Sequence, residues 1–220
     1  MTDLSDLVAL DRTAVRTSLD VLSAARDTSD WERPTPCAGW TLRRLVTHMT
    51  AQHHGFAAAA RGAGEDRTYW IEQDLGRDPL RRHEEAVRHV LAAFAEYVDE
   101  YEQRGVERHF ALPEIGGSFP GRVAVGFHLL DHVVHAWDVA TALGVRVTFP
   151  DDVVAAALAV ARRVPADPAR RGPGAAFAPP VPTPKNASPL DEILAHLGRT
   201  PTTGTAGTSG ASDAYDLSRC

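Results

Sequence analysis

The residues best suited to chemistry lie in one stretch, 127–138, which reads FHLLDHVVHAWD. Coiled as a helix, it brings residues three, four and seven apart onto one face. His128, Asp131 or His132, and His135 then come round together, while Phe127, Leu130, Val134 and Trp137 fall to another side and can enter a core. A stripe of imidazole and carboxylate in an apolar helix is costly unless each group has a partner. A divalent cation suits all of them, because His and Asp both ligate first-row metals and an i, i+4 pair grips one ion at two points. The plainer reading, hydrogen-bonded core histidines in a chain that carries 10 of them, stands beside it. A metal site also needs a donor from elsewhere. His48 offers one, spaced from Leu45 and Gln52 so that all three share an inward stripe.

The elements that must position these residues can be read from apolar periodicity and breakers. Residues 3–26 carry a broad stripe through Leu4, Leu7, Val8, Val15, Leu19 and Leu22, which predicts a long first helix ending near Asp27. Pro34 and Pro36 forbid helix around them, Gly39 turns the chain, and Thr41 caps a second helix running to about Arg61. His53 and His54 follow His48 there; at least one of them must point outward, and each taken alone reads as surface rather than ligand. Residues 62–78 form a loop with a short helical piece at Trp70 to Asp74. Pro79 opens a third helix to about Arg104, stopped by Gly105, with His83 and His89 read as surface. Residues 106–121 read as a crossing loop with room for a short hairpin. The fourth helix, from about Arg122 to Leu143, carries the opening motif, and Gly144 closes it. VRVTF at 145–149 is an extended link, and a fifth helix runs from Asp151 to about Val164. Prolines at 165, 168, 173, 179, 180, 182 and 184 then allow only a wrapping segment, before SPLDEILAHLG starts a last short docking helix. Three units follow: a helical bundle over 1–165, the proline-rich segment and docking helix over 166–200, and a Gly/Ser/Thr-rich tail over 201–220 expected to be disordered.

Composition removes other classes. A formal charge of -6 with no basic stripe argues against nucleic acid. Cys37 and Cys220 make no disulfide framework, the acidic start MTDLSDLVAL lacks a signal-peptide n-region, and no apolar run reaches membrane-spanning length. A cytoplasmic protein with no membrane partner is expected, and a homodimer is left open. Helices joined by loops give an all-α bundle, whose ligand sites form from inward side chains of facing helices. His48, Asp131 and His135 would supply three donors and leave a position for water or substrate, which is a catalytic rather than a structural arrangement.

Two motifs, PTPCAGWTLRRLVTHM and LLDHVVHAWDVATALG, resemble those of the DinB-like, mycothiol-dependent maleylpyruvate isomerase superfamily, and FAPPVPTPKNASPLDEILAHLGRTP resembles the tail of an actinobacterial metal-binding branch of it. The similarity runs from about Leu4 to Pro201. It implies an up-and-down four-helix bundle, here with an extra C-terminal helix and a wrapping segment, holding a divalent metal, usually zinc. Its ligands are a His after the Gly-Trp turn and a carboxylate-x-x-x-His pair, which fall on His48, Asp131 and His135. The characterised isomerase has Glu where this chain has Asp131. The shorter side chain opens the place to His128 or His132 as an additional metal or substrate contact. Trp40 reads as packing. Asp138 reads as a carboxylate behind the ligands or a local Arg partner, and Cys37 as a small buried turn residue.

The expected function is a metal-dependent enzyme acting on a small molecule with a low-molecular-weight thiol, mycothiol by resemblance, as transferase or isomerase. Hydrolase, lyase or cyclase chemistry without a thiol is one alternative, and a non-catalytic metal-binding module is the other. No residue type singles out the substrate or a catalytic acid or base.

Overall fold

A computed structural model describes residues 3–201 apart from 27, 29, 38, 168–170 and 172–176. The expected disordered tail therefore lies outside the described residues, save Pro201. The chain forms α1 (Leu4–Ser23), α2 (Leu42–Ala60), α3 (Pro79–Arg104), α4 (Gly121–Leu143), α5 (Asp151–Ala161) and α6 (Pro189–His196). A 3-10 turn, Arg67–Trp70, and a hairpin of β1 (His109–Leu112) and β2 (Gly117–Pro120) complete the described elements. The fold is all-α.

Local chemistry sets the boundaries. The Thr41 hydroxyl accepts from the Arg44 N–H at the start of α2, and the Asp78 carboxylate accepts from the Arg81 N–H ahead of Pro79. Gly105 and Gly144 end α3 and α4 in left-handed conformations that only glycine adopts cheaply. Ser188 and Asp191 form a reciprocal capping box on α6. The short helical piece expected at Trp70 to Asp74 instead lies at Arg67–Trp70, because Asp66 caps that turn by accepting from Thr68. The 106–121 crossing does hold a hairpin, antiparallel with Phe110 opposite Phe119 and Leu112 opposite Gly117.

The four long helices form the bundle, with α4 packed against both α1 and α2 and with α5 on its outer side. That placement explains why α4 is apolar almost all round. Leu129, Leu130, Val133 and Val134 face α5 and α6 through Val153, Ala157, Ile193 and Leu194, while Val139 and Ala140 meet Leu42, Leu45, Val46 and Met49 of α2. The wrapping segment returns along this surface. The Val181 N–H donates to the Ala195 carbonyl at 2.9 Å, and the guanidinium groups of Arg171 and Arg199 both lie over the Phe177 ring. Among the described residues no helix is long and apolar enough to cross a membrane.

Candidate metal centre

Helices α2 and α4 run antiparallel past each other, so rising numbers on one meet falling numbers on the other. His48 thereby meets Asp131 and His135, and one donor atom from each lies within 4.8 Å of the other two. The rings of His48 and His135 stand 5.5 Å apart, edge to face. His135 Nε2 is 3.3 Å from Asp131 Oδ1, and its Nδ1 is 2.9 Å from Asp138 Oδ2. Asp138 thus fixes which His135 nitrogen carries a proton and leaves Nε2 for a ligand, as carboxylates do behind metal-bound histidines. His48 Nδ1 lies 3.3 Å from Glu72 Oε1, from the loop after the 3-10 turn, which leaves its Nε2 for the same purpose.

The loop carrying Glu72 is pinned by Trp70. The Trp70 ring lies flat against Gly55 of α2, where any Cβ would overlap it, and its indole N–H donates to the Gly64 carbonyl. Trp40 covers the other side of His48, with ring centroids 4.9 Å apart, and the Arg44 guanidinium lies over Trp40. His48 and Asp131 keep partial exposure, so one side of the trio is open, while His135 is buried.

Behind the trio two groups from distant parts of the chain, invisible to a local reading, close on Asp138. Arg199, just after α6, donates to Asp138 Oδ2 at 3.1 Å, and the Cys37 thiol donates to the same oxygen at 3.3 Å. Asp138 is therefore both the carboxylate behind His135 and the partner of an arginine, although that arginine is 61 residues away rather than local. Cys37 is a buried turn residue as expected, but its thiol is engaged by the network.

Electrostatics make Asp131 and His135 a tight pair. Burial alone would raise the Asp131 pKa, but the facing His135 holds it well below the usual carboxylate range. Burial would lower His135, but Asp131, then Asp138 and Cys37, hold it well above the usual imidazole range. Burial works against Asp138 too, and Arg199 with His135 keeps it depressed. Asp131 Oδ2 is buried without a hydrogen-bond partner among the described residues. Two imidazoles and a carboxylate, one oxygen of it unpartnered, fit a divalent cation of the zinc type in ligand chemistry and in number.

His128 and His132 do not join this trio. They turn to the adjoining side of α4 and meet His53, so the single stripe read from the sequence divides into two interleaved i, i+4 pairs, 131/135 and 128/132. The reason is the helical angle: three residues advance 300°, which separates the pairs by about 60° around the axis. His53 and His83, read as surface, are buried at 0% and 1% exposure. Both lie on faces turned toward a neighbouring helix, and a single-helix reading cannot tell an inward histidine from an outward one when its sequence neighbours are polar, as Arg82 and Glu84 are beside His83 and Gln52 and His54 beside His53.

Comparison with known proteins agrees with this architecture. The family model described as "Mycothiol maleylpyruvate isomerase N-terminal domain" matches residues 12–140. Two Mycobacterium tuberculosis proteins, Uncharacterized protein MT0763 and Uncharacterized protein Rv0738, are each 32% identical over 167 residues, covering 76% of this chain and 84% of theirs. Among solved structures, a mutant of the mycothiol-dependent maleylpyruvate isomerase is similar with a TM-score of 0.57, and the isomerase itself with 0.53. Each match is 17% identical and covers 73% of this chain and 70% of that one, a likeness of fold.

Proposed function

This chain belongs to the mycothiol maleylpyruvate isomerase N-terminal domain family, and from that membership we propose that it is a metal-dependent enzyme joining a low-molecular-weight thiol, mycothiol, to a small electrophile, as a transferase or a double-bond isomerase. The observation that carries the reading is the convergence of His48, Asp131 and His135 donors within 4.8 Å on a partly open face, with Asp131 Oδ2 lacking a hydrogen-bond partner among the described residues.

His48, Asp131 and His135 would hold the cation, zinc by ligand type. When bound there, a divalent cation lowers the pKa of a coordinated thiol and polarises an adjacent carbonyl. The chain's residues supply the rest. Asp138 fixes the His135 tautomer through Nδ1, and Glu72 does the same for His48 from the rim. Trp40 walls one side of the opening, and Arg44 and Glu72 place one charge of each sign at its edge for a polar substrate. The nucleophile must come from outside, because the Cys37 thiol is 2% exposed and donates to Asp138. In an isomerisation the thiolate would add to a C=C bond conjugated to a carbonyl, leaving the electron pair as an enolate; the new C–C single bond turns, and collapse of the enolate expels the thiolate and restores the double bond.

Zinc-loaded protein should consume an electrophilic substrate only when mycothiol is present. Turnover independent of thiol would replace the transferase or isomerase reading with hydrolase or lyase chemistry, and unchanged activity in His48→Ala would remove His48 from the machinery.

A further inference from the structure

Inward from the trio, α2 and α4 bring together a second set of donors that the proposed reaction does not use. His53, His128 and His132 are all fully buried, and one nitrogen of each lies within 4.8 Å of the others. His53 Nδ1 is 3.1 Å from His128 Nε2. The ring of His132 stacks on that of His53 at 4.2 Å and stands 4.3 Å from that of His128. From α1, the buried Asp11 places Oδ1 2.7 Å from His128 Nδ1. From α3, His83 stands beside His53 with ring centroids 5.0 Å apart, its Nδ1 held by the Thr50 hydroxyl at 2.9 Å.

Protons alone do not satisfy this cluster. The Asp11 carboxylate accepts from His128 Nδ1–H, so in the tautomer this selects His128 Nε2 is an acceptor and His53 Nδ1–H donates to it. His53 Nε2 is then a bare lone pair, and it has no partner among the described residues. His132 necessarily carries one N–H and one lone pair when neutral, and neither nitrogen has a hydrogen-bond partner among the described residues. Asp11 Oδ2 and His83 Nε2 are likewise without one. Such a concentration of unsatisfied buried groups at one point is costly in an apolar core, at about 1–3 kcal/mol for each, and among the described residues no Lys or Arg pairs with any of them.

We propose that His53, His128 and His132 form a second, closed metal site for a late first-row divalent cation, with Asp11 fixing His128 in the tautomer that presents Nε2. The donor set is three imidazoles, which suits zinc, cobalt, nickel or copper and not magnesium or calcium. An aspartate on the far nitrogen of a ligating histidine is the usual arrangement behind such ions. Burial keeps His53 and His132 neutral, well below the ordinary imidazole pKa, and lowers His83 to about 4, so these rings need not lose a proton to bind. Because His132 lies parallel to His53, it must turn about its ring torsion to aim a nitrogen at the shared point. His83 is the nearest further imidazole for a fourth position. The site ties α1, α2 and α4 together beneath the open trio and goes beyond the proposed reaction, since it offers no exposed face to a substrate.

Metal content and cobalt spectra of the folded full chain test the site. Protein saturated with zinc and passed through a desalting column should carry a second equivalent that remains in His48→Ala and is lost in His132→Gln and in His53→Gln. Cobalt added to His48→Ala should give the visible d–d bands of a four-coordinate imidazole site and raise the melting temperature, with neither response in the His48→Ala, His132→Gln double variant. Should the His132 and His53 variants fail to fold, the cobalt spectrum of His48→Ala decides alone. Absence of retained zinc and of those bands in His48→Ala overturns the second site. Retention of both equivalents in a folded His132→Gln overturns it as well. Loss of metal from wild type at the open trio alone, with the bands intact in His48→Ala, would refute the proposed function and leave this site standing.

Discussion

The two histidine layers on α2 and α4 are built from the same helices and differ in what surrounds them. The outer layer mixes two imidazoles with Asp131, keeps one open side, and is backed by an Asp138–Arg199 ion pair. The inner layer is all imidazole at its centre, sealed, and backed by Asp11. The consequence is opposite proton affinity. Carboxylates hold His135 charged, whereas burial among other imidazoles keeps His53, His132 and His83 neutral. A single helix can therefore carry a reactive, proton-competing site one turn away from a neutral one, with only the neighbours on α1, α2 and the C-terminal segment deciding which is which.

The largest expected effect separates the layers by activity. His48→Ala should lower thiol-dependent turnover by at least ~10²-fold, more than loss of a supporting residue does, while leaving the inner cluster's cobalt spectrum intact. Asp138→Asn should come next. It keeps the shape and removes the charge that orients His135, so zinc affinity at the outer layer should fall about 10–100-fold, read by competition with a chelator. Arg199→Met should destabilise the protein by about 3 kcal/mol in denaturant unfolding, because it leaves the fully buried Asp138 without its guanidinium. Equal stability of Arg199→Met and wild type would show that the chain following α6 does not anchor the outer layer.

The pH response should sharpen the contrast in the metal-free protein. A raised pKa means that the His135 contribution to stability is full below the unfolded value of about 6.5 and is lost as pH rises through the folded value. The inner histidines have lowered values, so their contribution is full above about 6.5 and is lost as pH falls toward the folded values, about 4 for His83. Melting temperature measured from pH 7 to 4 should fall less steeply in His83→Gln than in wild type, provided that variant folds. Zinc binding at the outer layer should weaken as pH falls, by up to about tenfold per unit below the folded His135 pKa, because the ion displaces that proton. The smallest effect is expected from Glu72→Gln, a few-fold change in zinc affinity at most, since Glu72 is 36% exposed and its pairing with His48 is screened by water.

The architecture was legible because it depends on periodicity and breakers that act locally. Thr41, Pro79, Gly105, Gly144 and Ser188 each mark a helix end by a mechanism that needs no tertiary partner. The Asp131/His135 pair was legible for the same reason, as a helical spacing, and His48 as the inward imidazole on the facing helix. What escaped sequence reading depends on contacts between distant segments. Arg199 reaches Asp138 across 61 residues, and Glu72 reaches His48 through a loop whose path is set by Trp70 against Gly55. The assignment of His53 and His83 to the surface failed because each has polar neighbours in its own helix, and only the packing of α2 against α4 and of α3 against α2 shows that they point inward. The one stripe expected on α4 became two because neighbours on different sides claim residues only three apart.

In crystals of the zinc-soaked full chain, anomalous diffraction at the zinc edge should place the cation between His48 Nε2, an Asp131 oxygen and His135 Nε2, with a peak about 2.0–2.2 Å from each. A map with no anomalous density between those three side chains at full zinc saturation would contradict that placement.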